Sequence, residues 1–390
     1  MLDNKAVRLR IPVLAGLMAC TSLSTDIYLP AMPTVESELG GSAEFTITGF
    51  LLGFSLAQLI WGPISDRIGR KKPLIVGMLL FAIGSVGCAL SDSIYSLVLW
   101  RIIQACGACV GPLLSRSMVS DVSSSEGSAR IFALLMMLLA VSPILAPLLG
   151  AAVSERWSWR IIFWILAGIS IILFLCVLRL DETLPESRRS DETLVQRFFS
   201  FGSILGNKSF LRYLLCVFFF TSAIYAFLTA SSSVYIKYFH INPKIYSLLF
   251  GVNMVGVVIT SNITRKLSGR VPLDSLLKIS TLIALAGGIL LLVCSFFGIG
   301  GPVMIAVPVF IICSMNGFIS SCCNAAAVSS ILPTQVGAAT SLLVAFQYGS
   351  GILSSAILGL FPTDSPLPMA CLMIVCIALS AISMNWDTRE

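Results

Sequence analysis

The chain has 390 residues, of which 57% are hydrophobic and only 11% charged, with a formal net charge of +6. A soluble domain carries about 25% charged residues, so these few charges exclude a soluble fold: they cannot cover that much apolar surface. The positive balance invites a nucleic-acid reading, which the placement of the charges along the chain excludes.

A membrane-spanning helix takes about 20 mostly apolar residues, and such segments fill nearly the whole chain. Twelve spans are predicted, roughly at 11–30, 46–65, 74–91, 95–118, 130–153 and 159–179, then 211–235, 246–264, 274–297, 301–325, 338–361 and 366–386. On this reading Arg156, Arg160, Lys237 and Lys244 fall on one side and Arg101 inside a span. All the rest of the 25 lysines and arginines fall on the other side. Cationic loops stay in the cytoplasm, which puts both termini there.

The first span carries Asp26 within Ser24-Thr25-Asp26-Ile27-Tyr28-Leu29-Pro30-Ala31-Met32-Pro33. No small-residue cleavage site follows, so the stretch reads as a span and not as a signal peptide. Between the second and third spans runs Gly62-Pro63-Ile64-Ser65-Asp66-Arg67-Ile68-Gly69-Arg70-Lys71-Lys72-Pro73. Its glycines and proline suit a tight turn. Its four cations hold it on the cytoplasmic side. Its single acid is placed to meet an arginine or a helix N-terminus.

The fourth span holds Arg101, with Gln104 one turn further on the same face. A charge at the bilayer centre costs about 2.5–3.5 kcal/mol on insertion scales, so a retained one is a functional candidate. Asp26 and Arg101 are the clear cases, with opposite signs and both in the first half. Two readings stand: a fixed salt bridge, or a carboxylate that alternates between a proton and the arginine. Gly107 and Gly111 open that span to close helix packing. Cys106 and Cys109 lie among them and read as small packing residues, not as a metal or redox pair.

The fifth span contains Ser142-Pro143-Ile144-Leu145-Ala146-Pro147-Leu148-Leu149-Gly150. Two prolines four apart remove donors from one stripe and bend a helix. The bend serves either as a packing kink or as a shaped gate between the halves. After the sixth span comes the longest polar stretch, about 180–210. It divides the chain into a six-span half at 1–180, a central loop at 181–210 and a second half at 211–390. Lys266-Leu267-Ser268-Gly269-Arg270 faintly repeats Asp66 to Arg70 at the same point of the second half, as duplicated halves require. That half has no comparable charge within a span. Its candidates for lining a cavity are Tyr225, Phe227, Asn253, Asn316, Asn324, Gln347 and Tyr348, a polar and aromatic set suited to an amphiphilic ligand. The single histidine, His240, falls in an external loop and receives no role.

The loop at Gly62 to Lys71 resembles the G-x-x-x-D-R-x-G-R-K signature of the major facilitator superfamily. Further elements resemble its bicyclomycin and chloramphenicol resistance (Bcr/CflA) drug-exporter group. They are Thr25 to Pro33, Arg101 with Gln104, Ser142 to Gly150, Trp157-Ser158-Trp159-Arg160, and Glu182-Thr183-Leu184. Ala146 stands where the antiporter element usually has glycine.

The resemblance implies an all-α integral membrane protein with twelve transmembrane helices in two six-helix bundles. It implies proton antiport that exports small amphiphilic molecules. From the placement of the charges, and not from the resemblance, Asp26 and Arg101 are the expected proton-coupling pair. Tyr28, Gln104, Tyr225, Asn253, Asn316 and Gln347 are the expected substrate contacts. Gly62, Asp66, Arg67, Gly69, Arg70, Pro143, Pro147 and Gly150 are the expected conformational switch. The expected partners are a small-molecule substrate, protons and the lipid bilayer, with no nucleic acid, and the chain is expected to be a monomer in a bacterial inner membrane. No cofactor, no metal and no enzymatic activity are expected: there is no G-x-x-x-x-G-K-[ST] loop for nucleotide. The alternatives are an exporter or importer of one metabolite, such as a siderophore, nucleoside or small peptide, and a membrane receptor without flux.

Overall fold

The computed structural model describes residues 4–122, 125–189, 201–267, 270–332, 335–361 and 365–385. They are helices joined by short connections. In the first half these are α1 (Asn4–Asp26), α2 (Met32–Leu39), α3 (Glu44–Ile68), α4 (Lys71–Ala89), α5 (Ile94–Ala108), α6 (Val110–Val122), α7 (Ser125–Arg156) and α8 (Arg160–Leu178). In the second half they are α9 (Lys208–Ser232), α10 (Pro243–Leu267), α11 (Leu273–Phe297), α12 (Gly301–Ser329), α13 (Val336–Gly359) and α14 (Leu367–Ser383). Among the described residues ten helical stretches are long and apolar enough to cross a membrane. The other two expected spans fall on α7 and on the shorter apolar α14.

Two of the expected boundaries move. The first span runs on to Leu39. Pro30 and Pro33 do not end it, because each sits in the first turn of a new helical segment, where a missing N–H costs nothing. The fourth span is broken at Cys109, between α5 and α6. The thiols of Cys106 and Cys109 engage the carbonyls of Gly53 and Cys106, the packing role expected of them. In the repeat at 266–270, Ser268 and Gly269 lie outside the described residues, as does 190–200 of the central loop.

The chain forms two compact units: Met1–Gly41 with Gly49–Arg197, and Ser42–Thr48 with Phe198–Glu390. In the first, α4 packs on α5 and α8, and α1 on α6 and α7. Glycines set the closeness. A Cβ on Gly107 would strike the backbone of Gly77 and Phe81, and one on Gly111 the carbonyl of Leu17. At the end of this unit away from the 62–72 loop, Glu38 accepts from Trp159 Nε1 at 2.8 Å and from Arg160 Nη1 at 2.9 Å. In the second unit α9 packs on α12, α13 and α14, and α12 on α10 and α11. Thr221 and Ser222 on α9 bond the hydroxyls of Ser350 and Ser354 on α13. Outward faces carry large apolar side chains such as Ile172, Leu282 and Phe296, each more than 60% exposed. That surface is suited to lipid, where helices satisfy their own backbone.

Candidate functional site

Helix α1 ends at Asp26, so its last carbonyls have no partner further along the helix. Leu23 is served by the N–H of Ile27. The carbonyl of Ser24 is served by a side chain instead: Arg101 Nη1 donates to it at 2.9 Å. The same nitrogen donates to Gln104 Oε1 at 2.7 Å. Gln104 Nε2 donates to Ser85 Oγ at 2.8 Å, and Ser85 Oγ to the carbonyl of Phe81 at 2.7 Å. One hydrogen-bond line thus joins α1, α5 and α4.

Arg101 is fully buried, and its Nε and Nη2 have no hydrogen-bond partner. Desolvating a cation costs several kcal/mol. Three rings offset part of that, with the guanidinium carbon 4.5 Å from the centroid of Phe50, 5.0 Å from Tyr28 and 5.7 Å from Phe163. A desolvated cation–π contact contributes about 2 kcal/mol, and the partial negative charge of a helix C-terminus adds to it.

The ion pair expected between Asp26 and Arg101 is absent. Among the described residues no lysine or arginine lies within ion-pair distance of Asp26, whose Oδ1 accepts from Thr25 Oγ1 at 3.1 Å. The acceptor that Arg101 meets is a main-chain carbonyl left open at the end of α1, and the Asp26 carboxylate is bonded to Thr25 instead. Asp26 is nevertheless buried, at 5% exposure. Tyr28 and Gln104, expected as substrate contacts, are both fully buried and both hold Arg101.

The proline-rich stretch of α7 comes to the same place. Pro143 and Pro147 both lie inside the helix. A Cβ on Gly150 would overlap the carbonyl of Ile27, so the element abuts the residue after Asp26. Ser142 Oγ is buried without a partner.

The loop between α3 and α4 builds a second centre. Gly69 has φ +93°, a left-handed conformation that glycine adopts without strain. Arg70 turns back, with Nη1 on Asp66 and on Ser65 Oγ, and Nε on Asp121 Oδ2 at 3.1 Å. Burial alone would lower the pKa of Arg70; Asp66 and Asp121 outweigh it and hold the guanidinium above its ordinary value. Arg67 and Lys72 point outward and Gly62 is half-buried. Asp121 was missed in the sequence, although a lone acid at the end of the fourth span facing a four-cation loop is a usable signal.

In the second unit four of the candidates meet in two pairs. Gln347 Nε2 donates to Asn324 Oδ1 at 3.0 Å, and Tyr225 and Tyr348 have ring centroids 6.2 Å apart. Asn316 accepts from Ser320 on its own helix at 2.7 Å, and Asn253 is buried on α10.

Residues 14–355 match the Major Facilitator Superfamily. The chain belongs to that superfamily. It is a multi-pass membrane transporter and not an enzyme, and members of this superfamily move small molecules and couple to ions. It is 32% identical over 391 residues to the uncharacterized MFS-type transporter YdgK of Bacillus subtilis, covering 98% of this chain and 96% of the relative. The bicyclomycin resistance protein homolog of Haemophilus influenzae is 24% identical over 100% of this chain and 98% of its own length. Multidrug resistance protein D of Escherichia coli is 26% identical over 88% of this chain and 86% of its own. Among solved structures, a D-xylose-proton symporter superposes with TM-score 0.78 at 14% identity, covering 96% of this chain and 97% of that one. That likeness fixes the major facilitator fold and nothing finer.

Proposed function

We propose that this transporter exports small amphiphilic molecules from the cytoplasm by proton antiport, as a multidrug exporter of the inner membrane. The names of the bicyclomycin and multidrug resistance relatives support the substrate class. The observation that carries the coupling is the state of Asp26: a carboxylate buried at the end of α1, bonded to a hydroxyl, with its would-be cation capping the carbonyl two residues earlier. A buried carboxylate without a cation is favoured neutral, and one beside a cation is favoured charged. Asp26 is the proton carrier in this reading. Arg101 sets its affinity by approaching or leaving it, and the proline–glycine stripe of α7 transmits the movement. Asp66 and Arg70 form the switch at the cytoplasmic loop. Tyr28, Gln104, Tyr225, Asn253, Asn316 and Gln347 are the candidate substrate contacts. Both termini are cytoplasmic, and the working unit is a monomer with no nucleic-acid partner. A proton gradient supplies about 1.4 kcal/mol per pH unit, and the membrane potential about 2.3 kcal/mol per 100 mV for each charge moved. Either concentrates a neutral substrate roughly tenfold or more.

The test measures bicyclomycin-induced proton release from purified protein and bicyclomycin flux in everted vesicles, with chloramphenicol as a second compound. Asp26→Asn is expected to abolish proton release while leaving binding intact. Full release from that variant overturns the assignment of Asp26.

A further inference from the structure

Glu182 lies just after α8 and occupies a seat built by the turn before α4. Its Oε1 accepts from the backbone N–H of Arg70 at 2.8 Å, of Thr183 at 2.9 Å and of Leu184 at 3.0 Å. Its Oε2 accepts from the N–H of Lys71 at 3.1 Å. Both oxygens are thus used, by donors from two segments far apart in sequence, at the positive end of α4. The seat exists because residue 69 is glycine: a Cβ there would overlap the Glu182 carboxylate. Lys71 Nζ donates to the carbonyl of Leu178 at 2.9 Å, which ties the same turn to the end of α8. The residue after Glu182 continues the connection. Thr183 Oγ1 donates at 3.2 Å to Asp121 Oδ2, the oxygen that also receives Arg70 Nε. Arg70 in turn holds Asp66.

We infer that Glu182 is a positioning residue for the transport cycle: it clamps the α3–α4 turn to the segment after α8 and fixes, through Thr183, Asp121 and Arg70, the placement of Asp66. This rests on the reading of Asp66 and Arg70 as the switch. The chemistry requires a carboxylate with both oxygens free to accept. A glutamine would turn an NH2 group toward at least one N–H donor, and an aspartate, one methylene shorter, would not span both segments.

The experiment is substrate-independent. Spin labels are placed at Lys72 and Lys266, both exposed, through an unnatural amino acid, and the distance populations are read by pulsed electron resonance. The set is the parent, Asp66→Asn, Glu182→Gln and the double variant. Glu182→Gln is expected to shift the population ratio about twofold or more, in the same direction as Asp66→Asn. The double variant is expected to shift it no further than the larger single change, since coupled residues are not additive. Thr183→Val keeps the carboxylate and breaks only the link to Asp121. It takes the place of Glu182→Gln in the same cycle if that variant does not fold. An unchanged ratio in the Glu182 or Thr183 variant, or additive shifts, overturns the inference while leaving the switch standing. An unchanged ratio in Asp66→Asn removes the switch reading itself, and the role of Glu182 with it.

Discussion

Arg101 Nη1 lies 2.9 Å from the carbonyl oxygen of Ser24, so the buried cation of the fourth span caps the first helix. Helix capping by a cation is ordinary at a protein surface. Here it takes place at full burial, and the arginine's remaining donors, Nε and Nη2, face aromatic rings. The cation is therefore fixed to the end of α1 by one nitrogen and left with two more that another acceptor can use.

This makes Arg101→Met informative. The substitution keeps the volume roughly but strands the Ser24 carbonyl and Gln104 Oε1. Each unsatisfied buried polar group costs about 1–3 kcal/mol. Removing the buried charge offsets part of that. A fall in thermal stability in detergent is expected, together with loss of coupled transport. Arg101→Lys is expected to lose transport with a smaller stability change, because a single ammonium cannot hold the fork geometry.

Gly150→Ala addresses the contact between α7 and the residue after Asp26. The added methyl has backbone in its way, not a movable side chain. Overpacking of that kind costs about 1–3 kcal/mol. Expression and melting are expected to fall moderately, and proton release to fall more than substrate binding does. Equal transport in Gly150→Ala and the parent would make the stripe a passive packing element.

The loop offers a comparison between neighbours. Asp66 is held by Arg70, whereas Lys72 is exposed. At equal expression Asp66→Asn is expected to slow transport strongly and Lys72→Gln little, since one of several surface cations is replaceable. Flux in everted vesicles measures both.

Glu182 gives a pH dependence whose sign is fixed. Partial burial would raise its pKa, but the N–H groups of Leu184, Arg70, Lys71 and Thr183 outweigh that and hold it below the ordinary range. A carboxyl lowered by folding contributes stability above its unfolded value, about 4.3, and loses it as the pH falls through the lower folded value. The melting difference between the parent and Glu182→Gln is therefore expected to be constant from pH 8 to about pH 5 and to shrink below it. A difference that grows on acidification would mean that the carboxylate is not bound as described.

The sequence by itself determined the class and the approximate spans, and it singled out the candidate charges inside them. Apolar runs of spanning length leave only helices in lipid, and the expense of an intramembrane charge singles out Asp26 and Arg101 with no structure at all. Local chemistry was equally legible: the tight loop with its glycine at positive φ, and the glycines at 107 and 111 that admit a neighbour. Partnership was not legible. Opposite signs in two spans invite an ion pair, yet Arg101 found the carbonyl of Ser24, because the end of α1 leaves main-chain acceptors open, and the Asp26 carboxylate is bonded to Thr25. Tyr28 and Gln104 look like ligand contacts in a sequence, and only the structure shows that both also wall the arginine's chamber. Asp121 and Glu182 lie 51 and 112 residues from Arg70. Their meeting depends on where α6 and α8 end in space. Helix termini and interhelical distances follow from the packing of the whole unit, which no local pattern encodes.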